Sequence, residues 1–317
     1  LAYGAVHFST IMAAMPKLLI LSNDADEETS LIQQADLPDL EIVSDPAECD
    51  IVLGEPRKIL DALPLLPRLR WAQSIYAGVE PLVDPAGRRD YILTNARGVF
   101  GPQISEYVFA YLLLHERRIL QIYTAQGSGR WDNTLTGSLR GKTLGLLGVG
   151  SIGAHLAGTG RHFQMRVLGY TRQSEACKEV DGWFHGDELP GMLRQVDYLV
   201  NTLPNTPATS QIIDARLLGA LPAHALFINV GRGSAVDEPA LAAALAEGRL
   251  AGAVLDVFQQ EPLPPEHIFW RTPNLFITSH TAAPSFPADI IPPFAENYQR
   301  YLRGEPLHYQ VDFELGY

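Results

Sequence analysis

Three polar residues each follow a short apolar run that reads as a strand. Arg232 follows residues 226–230, Glu261 follows residues 251–256, and His280 closes the run at residues 275–278. Arginine presents a planar fork of donors that suits a carboxylate or a phosphate. Histidine moves a proton near neutral pH, and a neighbouring carboxylate holds its ring and raises its pKa. Each residue alone also has an ordinary reading: a surface arginine, a solvated glutamate before proline, a hydrogen-bonded histidine at a strand end. Parallel strands, however, present their C-terminal ends on one edge, where open α/β sheets bind ligands. Three such residues on successive strand ends make a proton-transfer and anion-holding site the better reading.

The elements that must position them start from residues 142–153, KTLGLLGVGSIG. The run Thr143–Leu147 reads as a buried parallel strand. Gly148, Gly150 and Gly153 follow in G-x-G-x-x-G spacing, and a helix-compatible stretch over 151–163 comes next. The spacing alone is weak, but between a strand and a helix it is a dinucleotide fingerprint. One glycine allows the tight turn, one lets the backbone approach a pyrophosphate, and one lets helix and strand pack closely. The helix N-terminus then favours the anion.

Around this centre the chain alternates strand and helix. Strands are expected at 17–22, 41–43, 51–54, 69–73 and 91–95, with a helix at 26–35 and a broken, packed helix in the proline-rich stretch 56–67. A second series is expected at 143–147, 166–170, 198–202, 226–230, 251–256 and 275–278. Its clearest helix is 237–247. Residues 102–123 read as one long helix, proline at its start, too broadly apolar for a single buried face and so expected to meet a partner subunit as well. Residues 127–141 read as a loop bearing Trp131. A final helix over 286–303 and the tail 311–317 return to the first series.

The fold class is therefore α/β, with two doubly wound parallel-sheet domains. A Rossmann cofactor domain (102–285) is inserted in a discontinuous flavodoxin-like domain (15–101 and 286–317). The turn at 74–80, SIYAGVE, follows a strand and can offer backbone N–H groups to a carboxylate, although alone it is no more than an ordinary βα loop.

At 317 residues the chain is long enough for two cored domains, and 46% hydrophobic with 19% charged residues is ordinary for a soluble protein. A net charge of −12 argues against a nucleic-acid partner. The only two cysteines, Cys49 and Cys177, form no metal or disulfide motif, which sets a reducing cytoplasm as the expectation. No apolar run approaches a membrane span. The first fifteen residues lack a basic leader and are not read as a signal peptide; Met12 or Met15 is a candidate native start.

With GVGSIG, NTLPNTPATSQII, INVGRGSAVDEPAL, LDVFQQEPLP and SHTAA in view, the chain from about residue 17 onward resembles the D-isomer-specific 2-hydroxyacid dehydrogenases, most of all the glyoxylate/hydroxypyruvate reductase A type. The resemblance implies that Arg232, Glu261 and His280 are catalytic. It implies that Tyr76, Ala77 and Gly78, with Arg232, contact a small 2-oxoacid or 2-hydroxyacid. It implies cofactor contacts at Ser151, Ile152, Leu203, Pro204, Thr209, Val230 and Gly231 beside the glycines, and a homodimer formed through the cofactor domain. For Asp256 two readings stay open: the partner of the nicotinamide carboxamide, or a strand-end cap.

Two departures from the family pattern matter. Ser279 stands where a proline commonly precedes the histidine. In GYTR, residues 169–172, Thr171 and Arg172 stand where NAD-binding relatives carry an acidic residue for the ribose 2′-hydroxyl. A neutral hydroxyl donor followed by arginine suits a 2′-phosphate, so NADP(H) is favoured with NAD(H) possible; the other reading of Arg172 is a solvated loop residue. The alternatives to a glyoxylate or hydroxypyruvate reductase are a phosphoglycerate- or D-lactate-type dehydrogenase, or a non-catalytic cofactor-sensing protein of the same fold.

Overall fold

The apolar runs pair in parallel, because each is carried back to the start of the next by a helix or a packed turn rather than by a hairpin. In the computed structural model, which describes residues 15–172 and 174–316, they form two sheets in two compact units. One unit takes the chain through Val99 and again from Ser285; the other is Phe100–Pro284. The candidate start at Met12 lies outside the described residues. No helix among the described residues is long and apolar enough to cross a membrane.

The first sheet contains β1 (Lys17–Leu21), β2 (Glu41–Ile42), β3 (Ile51–Gly54), β4 (Trp71–Ser74) and β5 (Ile92–Thr94). Their order is β2-β1-β3-β4-β5, all parallel, which is the flavodoxin-like arrangement. Every residue of β3 and β4 is buried, as expected where helices cover both faces. The late helix Pro287–Leu302 belongs here. It stacks Phe294 on Trp71 with ring centroids 5.2 Å apart, and its Tyr298 hydroxyl donates to the Pro38 carbonyl at 2.7 Å. The Trp71 indole N–H is satisfied by Thr94 Oγ1 at 2.8 Å, so the fully buried ring leaves no orphan donor.

The second sheet has seven parallel strands: β6 (Thr143–Leu147), β7 (Arg166–Tyr170), β8 (Gly182–Phe184), β9 (Tyr198–Asn201), β10 (Leu226–Asn229), β11 (Gly252–Leu255) and β12 (Leu275–Ile277). Their order is β12-β11-β10-β9-β6-β7-β8. The chain winds outward from β6 in one direction through β8 and in the other through β12. The switch point, where open α/β sheets bind ligands, therefore lies between β6 and β9. Six strands were expected here. The missed one, β8, is three residues long at the sheet edge, begins with glycine, and is only half-buried, so it carries neither length nor an apolar run.

The single helix expected over 102–123 is two: Gly101–Glu116 and Ile119–Gly127. Arg118 adopts φ +52°, a left-handed conformation that ends a helix. The freed Glu116 carbonyl accepts from Gly137 N–H at 2.9 Å instead of from the next turn. The break is thus made by a segment about twenty residues downstream. The second helix buries only Ala125, while Ile119, Leu120, Ile122 and Tyr123 stay exposed.

Candidate active site

Strand β6 ends at Leu147 and is followed by Gly148, whose φ of +91° is open to glycine at little cost. A Cβ on Gly153 would lie 2.3 Å from the Gly148 carbonyl oxygen, so only glycine permits this approach of helix to strand. The helix Ser151–His162 starts there, with exposed Gly150 as its cap and no side chain on its first N–H groups. Those donors are left for an anion. Ser151 and Ile152 form the first, half-buried turn. The cradle fits a dinucleotide pyrophosphate.

Two asparagines tie the neighbouring loops together. Asn201 ends β9 and Asn229 ends β10, and both are fully buried. Asn201 Nδ2 donates to Asn229 Oδ1 at 2.9 Å. Asn229 also accepts from Gly231 N–H and donates to the Arg232 carbonyl, each at 3.1 Å, while Asn201 Oδ1 accepts from Leu203 N–H at 3.2 Å. A Cβ on Gly231 would sit 2.8 Å from the Leu203 carbonyl oxygen, so these loops touch through backbone. Val230 and Leu203 are buried, and Thr209 closes the following turn by donating to the Pro204 carbonyl at 2.7 Å. Sequence reading missed the pair. Its signal was there: a polar residue ending each of two otherwise apolar strands, YLVN and LFIN. Asn229→Leu should cost about 1–3 kcal/mol of stability, because it strands Gly231 N–H, the Arg232 carbonyl and the Asn201 amide without partners. Urea unfolding checks this; an unchanged midpoint would show that the pair bears no weight.

Arg232 is half-buried and extended, with Nη1 donating to the Gly231 carbonyl at 2.8 Å. His280, beyond β12, holds Glu261 at 2.8 Å from Nδ1 to Oε2, and Glu261 Oε1 accepts Phe258 N–H at 2.9 Å. With Nδ1–H directed at the carboxylate, Nε2 is the nitrogen available for proton transfer. The hydrogen bond to Glu261 raises the His280 pKa, against burial and the charge of Arg232, which lower it. For Glu261, burial pushes the pKa up, but the His280 and Phe258 bonds and the charges of His280 and Arg232 prevail and hold it below its usual value. Glu261 therefore stays ionised and favours an imidazolium.

His280 sits at φ +57°, a strained conformation costing about 1–3 kcal/mol that persists only where its surroundings enforce it. Asp256 enforces it. Its main-chain carbonyl accepts His280 N–H at 2.8 Å, and its carboxylate takes Thr281 N–H at 2.8 Å, Ala282 N–H at 3.0 Å and the Thr278 hydroxyl. Asp256, 2% exposed and with both oxygens engaged, is a cap that holds the His280 turn.

At the end of β7, the Thr171 hydroxyl donates to the Ser174 carbonyl at 2.9 Å. In the other unit, the turn after β4 is pinned by its carbonyls. Tyr76 O accepts from Ser74 Oγ and Ala96 N–H, and Ala77 O accepts from Asn95 Nδ2 at 2.8 Å. Because a trans peptide points its N–H opposite its C=O, the Ala77 and Gly78 N–H groups face away from those partners.

Comparison with known proteins gives the family. Residues 109–282 match the NAD-binding domain of the D-isomer-specific 2-hydroxyacid dehydrogenases. The chain is 31% identical over 281 residues to glyoxylate/hydroxypyruvate reductase A of Salmonella newport, covering 86% of this chain and 89% of that one. A D-isomer-specific 2-hydroxyacid dehydrogenase family protein of Aeromonas salmonicida superposes with a TM-score of 0.89 at 41% identity, over 95% of this chain and all of its own. A D-isomer-specific 2-hydroxyacid dehydrogenase of Xanthobacter autotrophicus, solved with NADPH and MES, gives 0.86 at 32% identity, over 96% of this chain and all of its own. With the glycine cradle, the His280–Glu261 pair and Arg232 set on one sheet edge, the chain belongs to the D-isomer-specific 2-hydroxyacid dehydrogenases, a family of NAD(P)-dependent oxidoreductases.

Proposed function

We propose that this protein reduces a small 2-oxoacid, glyoxylate or hydroxypyruvate, to the 2-hydroxyacid with NADPH. The observation that carries the reading is the 2.8 Å His280–Glu261 pair, held by a strained turn on the sheet edge that also presents Arg232 and the glycine cradle. In this reading Phe100–Pro284 holds the cofactor and the discontinuous unit holds substrate groups. The bound nicotinamide supplies the hydride. Arg232 holds the carboxylate and polarises the carbonyl with charge-assisted bonds. In the discontinuous unit the Ala77 and Gly78 N–H groups are donors suited to a carboxylate. His280 gives its Nε2 proton to the oxygen as negative charge builds there, and takes it back in the reverse direction. Glu261 stabilises the imidazolium and fixes the ring.

The substrate choice is supported by the name of the Salmonella relative, and NADPH by the ligand of the Xanthobacter structure. Thr171 and Arg172 add the absence of a carboxylate where a 2′-phosphate would be repelled. The preference for NADPH is expected to be about tenfold or more in kcat/KM, since a charge-assisted bond contributes roughly 1.5–3 kcal/mol and a partly exposed site takes the low end of that range. Thr171→Asp with Arg172→Ala should reverse it. Steady-state kinetics on a panel of 2-oxoacids, with NADH and NADPH side by side, tests substrate and cofactor together. Equal use of both cofactors by the unaltered enzyme would remove the phosphate role from Arg172, and no turnover on any 2-oxoacid would remove the catalytic reading.

Exposed Ile119, Leu120, Ile122, Tyr123, Trp131 and Leu135 on and after the second helix support a homodimer formed through the cofactor unit. Free thiols at Cys49 and Cys177 suit a reducing cytoplasm.

A further inference from the structure

We propose that His185 is a specificity-determining residue for cofactor choice, its imidazolium bridging Thr171 and Glu175 to hold the loop after β7 in the form that accepts a ribose 2′-phosphate. The inference deepens the NADPH reading above and rests on it. His185 lies just past β8, with Nδ1 2.9 Å from the Thr171 carbonyl oxygen and Nε2 2.8 Å from Glu175 Oε1. A carbonyl and an ionised carboxylate only accept. A neutral imidazole carries one N–H, so both bonds form together only when both ring nitrogens are protonated. The geometry thus selects the charged ring.

The surroundings hold it there. Glu188 accepts the His185 main-chain N–H at 2.9 Å, and the adjoining turn is fastened by the Tyr170 hydroxyl on the Gly186 carbonyl, with Asp187 near that hydroxyl. The bonds to Glu175 and to the Thr171 carbonyl raise the His185 pKa above its ordinary 6.5; burial opposes them, and the charges of Glu175 and Glu188 add to the rise. The loop is closed from within as well, by the Thr171 hydroxyl on the Ser174 carbonyl.

The consequence falls on one cofactor. Thr171 and Arg172 mark where a 2′-phosphate would lie, and Glu175 is three residues beyond Arg172 on the same loop. While His185 is charged, the Glu175 carboxylate is paired. When pH rises through the raised pKa, the ring loses a proton, one of the two bonds fails, and Glu175 is left as an uncompensated anion beside the phosphate position. NADPH, which carries the phosphate, is weakened; NADH, which carries a hydroxyl there, is not.

The test reads binding and protonation rather than turnover. Dissociation constants for NADPH and NADH are measured by nicotinamide fluorescence from pH 6 to 9 in the wild type, His185→Gln and Glu175→Gln, and the His185 ring is titrated by NMR. The 2′-phosphate has its own ionisation near pH 6, common to all three proteins, so the comparison between them isolates His185. In the wild type the NADPH constant should rise about three- to tenfold across the His185 titration, the scale of one partly exposed charge, while the NADH constant stays level. His185→Gln should bind NADPH weakly at every pH, and Glu175→Gln should bind it well at every pH with a His185 pKa lower than in the wild type. An NADPH preference that is level with pH and survives His185→Gln would overturn this inference alone. Equal affinity for the two cofactors throughout would overturn the NADPH reading and, with it, this one.

Discussion

His280→Ala should leave the dissociation constant for the dinucleotide within about twofold and lower turnover by roughly 10²–10⁴-fold, the range for loss of a general acid–base group. The selectivity follows from position. His280 lies beyond β12, on the flank of the sheet away from the β6 glycine turn, so removing its ring leaves the cradle whole. The pH dependence adds a second signature. In the reductive direction the ring must be protonated, and its pKa is raised by Glu261, so the rate should hold at low pH and fall as pH passes upward through that raised value. In the oxidative direction the neutral ring is needed, and the slope inverts. Glu261→Gln should bring the reductive limit to lower pH, because a neutral amide no longer favours the imidazolium. Stopped-flow hydride transfer across pH in both directions measures all of this. Near-normal turnover in His280→Ala, or a limit unmoved in Glu261→Gln, would take the pair out of the mechanism.

Arg232→Lys should fail nearly as badly as Arg232→Ala, with kcat/KM for glyoxylate down by about 10²–10³-fold in both, the cost of losing an oriented donor to developing charge. The reason is shape rather than charge. Arg232 has one prong, Nη1, already on the Gly231 carbonyl at 2.8 Å, which orients the plane of the guanidinium. A lysine ammonium keeps the positive charge but not the plane or the paired donors. Backbone support for the residue comes from Asn229 and does not depend on the side chain, so both variants should fold with unchanged stability. A lysine variant with near-wild-type kcat/KM would reduce Arg232 to a general source of positive potential.

The parts of this protein that announce themselves in sequence are those where local chemistry and tertiary role coincide. Thr143–Leu147 is apolar because it is buried on both faces, and Gly153 is glycine because a Cβ would meet the Gly148 carbonyl. The pairing of Glu261 with His280, read from two polar residues that follow apolar strands, is present at 2.8 Å. What was not legible depends on partners remote in sequence. The break at Arg118 is set by Gly137, and two consecutive arginines are good helix formers with nothing local to stop them. β8 is a strand because β7 lies beside it, not because GWF prefers one. For Asp256 the sequence left two roles open, and only the positions of Thr278, Thr281 and Ala282 show the cap. His185 was one histidine among nine until the Thr171 carbonyl and Glu175 were found on either side of it.

The return of the late helix to the first sheet also governs the order in which the protein can be made. Ribosomes release the N-terminal strands first, yet Trp71 has no stacking partner until Phe294 emerges, and Thr94 of β5, paired with β4 on one side, lacks its antiparallel bridge on the other until Gln310 follows. The inserted unit, contiguous from Phe100 to Pro284, is complete while its host is still missing a face. During synthesis the β1–β5 sheet must therefore wait, with its apolar surface uncovered, for the segment from Ser285 onward. Nonsense or frameshift changes after about residue 285 should then yield a chain that still folds its dinucleotide cradle but aggregates through the unfinished sheet.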